Sequence, residues 1–496
     1  MSGRCEIVRT RTRLELECLE DRIAPAGNVT VTLVGGVLTI SGDAFDNSVT
    51  MEQGPGSHEI VISSDPYNVT TINGEAGPVS FAGVTGNITV NLGDGNDSLG
   101  MSGIAALKDV RVDMGSGDNG FCIGSDSSIH GVLSVKGGAG ADGFTVTHVT
   151  VGKGIALDGG DGDNSFTIDA GSTASMALRG GTGSDTVNCG SFDVAKTLSI
   201  DTGNGDSHVR MVNSGGKLLS IHAADGSQSI ELIGAGGRTV SITGGQGYSD
   251  VSVSGAYIGA ISINTGEGDS TVSMFGCPIE GKVAITTAEG NAHVSIRNCN
   301  LGGTDQNMKR GDVSICLDGG QSYFEMVDST AGRNMALSFN GGPAEAHLRG
   351  SAVAGNLTMT SGSGSDLFAF TNTDIHRRTA VSMGDGNDKI SLDGSYLRGS
   401  FNLAMGGGND EAYFDAENRP GGRPGVFAGP VKVDLGNGDD YLEMGSPGDG
   451  GNLSIYFSSV LINGGAGFDE VDVMYATTFW TVEPRSAGVE WVRFTE

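Results

Sequence analysis

The sequence predicts an all-β chain folded as a single-stranded parallel β-helix, a solenoid in which successive coils stack on one another. Three observations predict it. Glycine accounts for 85 of 496 residues, the glycines cluster about every 22 residues, and apolar residues two apart flank each cluster. Glycine at this density is unfavourable inside helices, whereas alternation with a period of two is typical of strands that have one buried face.

The repeat appears when each Gly-x-Gly cluster is aligned on the second residue after its last glycine, here called the aligned position. From Asp97 to Ala292 the steps between aligned positions are 21 to 23 residues. Two degenerate units follow, in which we expect Phe324 and Ala346 at the aligned position, and the series resumes at Asp366. Such short strands are unstable alone but bury a common interior when coils stack.

The period also sets the expected dimensions and hand of the rod. About 18 coils at about 4.8 Å per coil would give a rod of some 85 Å. We expect it to be right-handed, because left-handed hexapeptide helices have a period nearer 18 residues.

The domain organisation follows from where the repeat is regular. We expect four segments in chain order. They are a leader at 1–26, atypical capping coils at 27–90, the parallel β-helix at 91–473 and a C-terminal cap at 474–496. The last segment leaves the repeat and contains Trp480 and Trp491. We interpret it as a capping hairpin over the last coil, with an aromatic carbohydrate platform as the alternative.

Charge and cysteine content narrow the class of protein. The net charge of -30 argues against nucleic acid and anionic membranes as partners, because both require clustered Lys and Arg, and it favours cations. No run of about 18 apolar residues occurs, so no transmembrane helix is expected. The seven scattered cysteines argue against a disulfide framework. We interpret Cys122, Cys189 and Cys316 as buried strand residues.

Eight units have an aspartate at the aligned position, and three of them contain the full pattern Gly-Gly-x-Gly-x-Asp-x-apolar. These are GGAGADGF from Gly137, GGTGSDTV from Gly180 and GGAGFDEV from Gly464. They resemble the nonapeptide of RTX (haemolysin-type) calcium-binding proteins, in which each ion lies between equivalent turns of adjacent coils. Glycines permit the tight turn, and carboxylates supply oxygens to Ca²⁺, which takes six to eight of them.

The resemblance implies structural Ca²⁺ along one edge of the rod. The candidate ligands are the aligned aspartates, with Asp385 and Asp439 as possible helpers: Asp97, Asp142, Asp185, Asp366, Asp385, Asp388, Asp410, Asp439, Asp440 and Asp469. The successive run from Asp366 to Asp410 is favoured, because a shared ion needs adjacent acidic turns. The chain departs from the RTX pattern in having one motif per coil of about 22 residues instead of two per 18. The alternative is that these residues are ordinary turn residues bonded to the local backbone.

The stretch RLELECLEDRIAPA, from Arg13 to Ala26, resembles the LEPR-XLL-type leader at the start of many bacterial surface and secreted proteins. This resemblance implies export, although the stretch lacks the apolar core of about 7–15 residues found in a standard secretory signal. The alternative is an N-terminal helix that caps the domain. We therefore expect a secreted or cell-surface protein.

These observations favour a non-enzymatic structural or adhesive rod, monomeric and stiffened by Ca²⁺, with cell-envelope or extracellular polysaccharide as a further partner. The main alternative is a polysaccharide-binding or polysaccharide-degrading protein, either a lyase or a hydrolase, by analogy of fold only. Scarce Lys, Arg and aromatic residues argue against it. A third alternative is a passive repeat segment that promotes export, as RTX tracts do. His208, His293 and His347 are interpreted as solvated residues on one strand face.

Overall fold

The computed structural model is all-β, with about 17 stacked turns that recur roughly every 22 residues, which confirms the predicted parallel β-solenoid. The structure describes residues 27–64, 70–303, 311–415, 423–445, 455–474, 478–481 and 484–495. Among these residues no helix is long and apolar enough to span a bilayer.

Most regular coils contain three strands, and in the coils that include Ser207–Val212, Gln228–Ile233 and Ser249–Ser254 the third one is reduced to isolated bridges. A pre-turn strand leads into the Gly-Asp turn, a post-turn strand follows that turn, and a short strand lies beyond a second corner. In the first regular coil these are Ile88–Asn91, Ser98–Ser102 and Ala105–Ala106. Successive coils pair in parallel and in register, so Val110 lies opposite both Ile88 and Leu133.

The strand bounds follow this three-strand plan. The separate pre-turn strands are Ile88–Asn91, Val110–Ser116, Val132–Ala139, Gly154–Asp161, Leu218–His222, Thr239–Thr243, Ile261–Asn264, Val283–Thr287, Val313–Leu317, Met335–Phe339, Leu357–Ser361, Thr379–Ser382, Phe401–Gly407 and Arg485–Ala487. The separate post-turn strands are Ser98–Ser102, Gly120–Gly124, Gly143–Thr147, Ser207–Val212, Gln228–Ile233, Ser249–Ser254, Ser270–Phe275, Ala292–Arg297, Ser322–Val327, Ala344–Arg349, Leu367–Thr371, Lys389–Asp393, Glu411–Phe414, Tyr441–Met444, Glu470–Met474 and Trp491–Thr495.

The remaining strands of the solenoid are short or continue through a corner. The short strands are Ala105–Ala106, Ser128–Ile129, Thr150–Val151, Pro278–Ile279, Asn300–Leu301, Thr330–Ala331, Ala352–Val353, Asp374–Ile375, Tyr396–Leu397 and Thr478–Trp480. The strands that continue through a corner are Ser165–Thr182, Asp185–Asn204, Val426–Asn437 and Ile455–Ala466.

The core is a continuous apolar interior that runs through the stacked coils. Alternate residues of each strand point inward, and equivalent residues of neighbouring coils contact one another. Phe144 and Phe166, for example, stack with ring centroids 4.9 Å apart and planes 8° from parallel. The same alternation determines whether a cysteine is buried. Phe121 and Ile123 point inward, so Cys122 between them is exposed. The expectation of a buried cysteine is wrong for Cys122; Cys189 is buried as expected, whereas Cys316 is only partly buried.

The N-terminal region differs from the regular coils. Val37–Ser41 pairs antiparallel with Asn28–Val34, and Glu59–Ser63 pairs antiparallel with both Ser48–Gln53 and Val79–Ala82. Thr71–Ile72 pairs in parallel with the first strand. The leader expected at residues 1–26 lies outside the described residues and stays a prediction.

The described part of the C-terminal segment pairs as a further coil and not as a hairpin, whereas its role as a cap stays a prediction. Thr478–Trp480 and Trp491–Thr495 pair in parallel with strands of the preceding coil. Trp480 packs against the core, whereas Trp491 is 50% exposed. Its last strand continues the register of the preceding coil, so Val492 lies opposite the buried Val471.

The register also corrects the alignment of the two degenerate units. Ser322 pairs with Ala292 and with Ala344, so Ser322 and Ala344 occupy the aligned position. Phe324 and Ala346 lie two residues further on, facing inward as core residues. In these units the two glycines are adjacent, and the second one keeps the usual distance of two residues from the aligned position.

The corrected register also shows that one of the three histidines, His347, does not share the strand position of the other two. His347 lies two residues further along its strand than the position that His293 occupies, next to Glu345 and Arg349. It is 7% exposed, so the interpretation of a solvated side chain is wrong for His347. Its Nε2 lies 2.5 Å from Glu345 Oε1, and its Nδ1 lies 3.2 Å from Arg349 Nη2.

Candidate metal centre: the aspartate column

The aligned positions of consecutive coils are neighbours in the sheet, so they form one column along the rod. Eight of the predicted ligands lie in this column: Asp97, Asp142, Asp185, Asp366, Asp388, Asp410, Asp440 and Asp469. Each of these residues is at most 2% exposed. Because aligned residues face inward, their carboxyl groups are buried at the edge of the core. Between Ser207 and Ala344 the column continues without acidic residues.

One oxygen of each carboxyl group accepts a hydrogen bond from the backbone of the preceding coil. The NH of Asp366 donates to Asp388 Oδ1 (2.8 Å), and the NH of Asp388 donates to Asp410 Oδ1 (2.8 Å). The NH of Asp410 donates in turn to Asp440 Oδ1 (2.9 Å). At the C-terminal end Glu490 takes over, since its Oε2 accepts the NH of Asp469 (2.9 Å). The carboxylates therefore connect consecutive coils as a ladder of charge-assisted hydrogen bonds.

The second oxygen, Oδ2, of all eight aspartates is buried and has no hydrogen-bond partner among the described residues. In the motifs that begin with Gly137 and Gly180, a Cβ on that glycine would overlap this oxygen. The equivalent position is Ser361 before Asp366, and it is a fully buried apolar residue before Asp388, Asp410 and Asp440, namely Met383, Met405 and Leu435. The free oxygens therefore lie at the edge of a largely apolar interior, where an unneutralised charge is costly.

Burial raises the pKa of every aspartate in the column. The pKa of Asp97, Asp142 and Asp185 rises to about 6. The pKa of Asp388 and Asp440 rises to about 7, because neighbouring carboxylates of the column add repulsion to the loss of solvation. Burial and like charge both favour the neutral form, so these groups hold protons at a higher pH than ordinary aspartates.

The two helper residues do not join the column. Asp385 and Asp439 are exposed on the outer side of the turn. Asp439 Oδ1 accepts the backbone NH of Phe468 in the following coil (2.9 Å). Asp118 and Asp163, which also precede an aligned position, make the same forward contact with the next coil (2.8 and 2.7 Å).

Several turns are thus connected in both directions, backward through the aligned residue and forward through the residue before it. These are the turns at Asp97, Asn119, Asn164, Asp388, Asp410 and Asp440. Sequence reasoning missed this double ladder. The available signal was asparagine, which replaces aspartate at both positions, because a side-chain amide oxygen accepts the same hydrogen bond without a charge. Asn119 Oδ1 accepts the NH of Asp97 (2.9 Å), and Asn387 Oδ1 accepts the NH of Asn409 (2.8 Å).

The column offers a cation one buried oxygen per aspartate. Ca²⁺ takes six to eight oxygens, and no group of three His, Cys, Asp or Glu side chains converges among the described residues. A calcium ion held here would therefore depend on Oδ2 atoms of adjacent coils, for which Asp388 and Asp410 are the central pair, together with backbone carbonyl oxygens. The same Oδ2 atoms can instead carry protons.

No family model, no curated protein and no solved structure matches the chain.

Proposed function

We propose that this chain is a non-enzymatic structural rod of the secreted or cell-surface type, whose buried aspartates take up Ca²⁺ at neutral pH. The observation that carries the proposal is the column of eight buried carboxyl groups with unpartnered Oδ2 atoms. At neutral pH these groups approach ionisation inside the protein, and a divalent cation would compensate the charge. The acidic excess of the whole chain, -30, favours the same class of ligand.

The calcium part is tested by thermal unfolding at neutral pH in CaCl₂ and in EGTA. We expect Ca²⁺ to raise the melting temperature of the wild-type chain by a few degrees, at about 1 °C per kcal/mol gained for a chain of this length. Asp388→Asn should reduce this response, because it removes a charged oxygen and retains the acceptor at Oδ1. Asp385→Asn is the matched control, since it removes the same charge from the exposed side of the same turn.

Two results would separate the outcomes. An equal melting temperature in CaCl₂ and EGTA would exclude a structural role for calcium. If, in addition to that equality, Asp388→Asn raised the melting temperature in EGTA and Asp385→Asn did not, the column would be a proton-binding element instead of a calcium site.

The location and the absence of catalysis need separate experiments. Surface proteolysis of intact cells should remove the protein if it is exported, and retention in the cytosolic fraction would contradict export. Incubation with neutral and acidic polysaccharides should release no new reducing ends or unsaturated products. Depolymerisation of any of them would favour the lyase or hydrolase alternative over the structural rod.

A further inference from the structure

A groove follows the rod axis where the aspartate column is interrupted. Its lining comes from six successive coils, beginning at Tyr248 and ending at Leu367, and it encloses about 600 Å³. The lining includes the small aligned residues Ser270, Ala292 and Ser322, which are almost fully buried and face the interior. Five steps of about 4.8 Å give the groove a length of about 24 Å. This shape suits a segment of a linear polymer better than a compact small molecule.

One wall of the groove is aromatic. The rings of His293 and Tyr323 stack with centroids 4.6 Å apart and planes 9° from parallel. His347 lies against the other side of Tyr323 at 5.7 Å. Tyr248, 47% exposed, stands at the end of the groove nearer the N-terminus, with its hydroxyl 3.1 Å from Thr271 Oγ1. The Tyr323 ring is therefore covered by a histidine on each side and meets the groove at its edge, and Tyr248 supplies a second aromatic side chain, which is more open to solvent.

Buried polar contacts hold this wall in place. The hydroxyl of Tyr323 donates to Glu325 Oε2 at 3.4 Å, and Glu325 is only 5% exposed. Its Oε1 accepts hydrogen bonds from Ser295 Oγ (2.6 Å) and from Arg297 Nε (2.9 Å). A ring that is fixed before binding loses little conformational entropy when a ligand packs against it.

The charge of the groove restricts the ligand. The opposite side presents the polar side chains of Asn291 and Gln321 and the carboxylate of Asp269, and Glu345 lies on the aromatic side. None of the described residues that line the groove is a lysine or an arginine. Together with the net charge of -30, this disfavours a polyanion such as an acidic polysaccharide.

We infer that the groove binds a single chain of an uncharged polysaccharide. A sugar ring packs on Tyr248 and another lies against the edge of the Tyr323 ring, and hydroxyl groups exchange hydrogen bonds with Asn291 and Gln321, which combine donors and acceptors. An elongated cleft that combines aromatic side chains with a few polar groups has the character of a ligand site. This site goes beyond the structural rod and involves none of the buried aspartates.

The test is affinity electrophoresis of the full chain in native gels that contain laminarin, dextran or hydroxyethyl cellulose. Gels with alginate serve as the anionic comparison. We expect at least one uncharged polymer to retard the protein and alginate not to do so. Tyr323→Ala should weaken the retardation at least tenfold, and Tyr323→Phe, which retains the ring, should keep most of it. Tyr257→Ala is the matched control, since Tyr257 is 57% exposed and does not line the groove.

Migration unchanged by all three uncharged polymers would overturn the inference, as would retardation that Tyr323→Ala and Tyr248→Ala leave intact. Binding to alginate alone would also overturn it. The melting temperature of each variant is measured in parallel, and Tyr248→Ala tests the groove at a more exposed residue if Tyr323→Ala fails to fold. Because these residues lie outside the aspartate column, failure here leaves the calcium experiment unaffected.

Discussion

The two oxygens of one carboxyl group have different surroundings in the aspartate column. In Asp388, Oδ1 is bonded to the preceding coil and Oδ2 is buried without a partner. Asparagine resolves this asymmetry at two other aligned positions. The Nδ2 atoms of Asn119 and Asn164 donate to the carbonyl oxygens of Gly117 and Gly162, at 2.9 Å in both cases. Aspartate and asparagine thus supply the same acceptor at Oδ1 in this column, and the asparagine positions fold without a charge at the second atom.

A glycine in the same turn is equally constrained. Gly386 has a φ of 143°, and a Cβ on it would overlap the carbonyl oxygen of Gly364 in the preceding coil. We expect Gly386→Ala to lower the free energy of unfolding by about 1–3 kcal/mol, because it adds backbone strain and forces neighbouring coils apart. Chemical denaturation measures the change. Gly120→Ala is the control, since a Cβ there meets no atom within 4 Å, and an equal loss in both variants would contradict the stacking argument.

At the scale of the column, stability should depend on pH in a direction opposite to that of ordinary salt-bridged aspartates. The folded-state pKa is about 6 for Asp97 and about 7 for Asp388, above the reference value of 3.8. Between these values the folded chain binds more protons than the unfolded chain. In EGTA the contribution of the column to the free energy of unfolding is therefore largest below about pH 4 and falls as the pH rises towards 7.

Denaturant unfolding at several pH values, for the wild type and for Asp388→Asn, isolates this contribution. Asp109, Glu325 and Glu411 have a lowered pKa and act with the opposite sign, but they are common to both chains. We expect the variant to gain stability relative to the wild type as the pH rises from about 4 to about 7. A difference that stays constant over this range would show that Asp388 does not titrate there.

The elements of the coil could be predicted from the sequence more fully than the site could. Period-two alternation around regular glycine clusters was enough for the parallel solenoid, because strand register follows from turns that recur at a fixed spacing. The alignment at Phe324 and Ala346 was wrong because adjacent glycines change the appearance of the turn without changing its length. The burial of Asp388 could not be read from a motif, since the same letters describe an outward and an inward carboxylate, and only pairing between coils distinguishes them.

At the scale of the whole molecule, the aligned residues divide the rod into three parts. Two blocks have buried aspartates at the aligned position, and the middle part between them has uncharged residues there. Asp97, Asp142 and Asp185 belong to the N-terminal block, and the run from Asp366 to Asp469 forms the C-terminal block. Between them the aligned residues are serine, glutamine or alanine, and the groove lies over this part of the rod. In a solenoid each coil contacts mainly its neighbours, so stability is approximately a sum of local terms. Protonation or cation binding should consequently stabilise the two blocks without stiffening the middle.

Amide hydrogen exchange resolves this pattern along the chain. In EGTA, protection factors corrected for intrinsic exchange should rise in both acidic blocks when the pH is lowered from about 7 to about 5, because the buried carboxyl groups gain protons. Strands between Ser207 and Ala344 should change little. Asp388→Asn should weaken the response in the C-terminal block and leave the N-terminal block unchanged, because coupling decays with distance along the stack. A uniform rise over all coils would contradict local control, since it would require the rod to respond to pH as one cooperative unit.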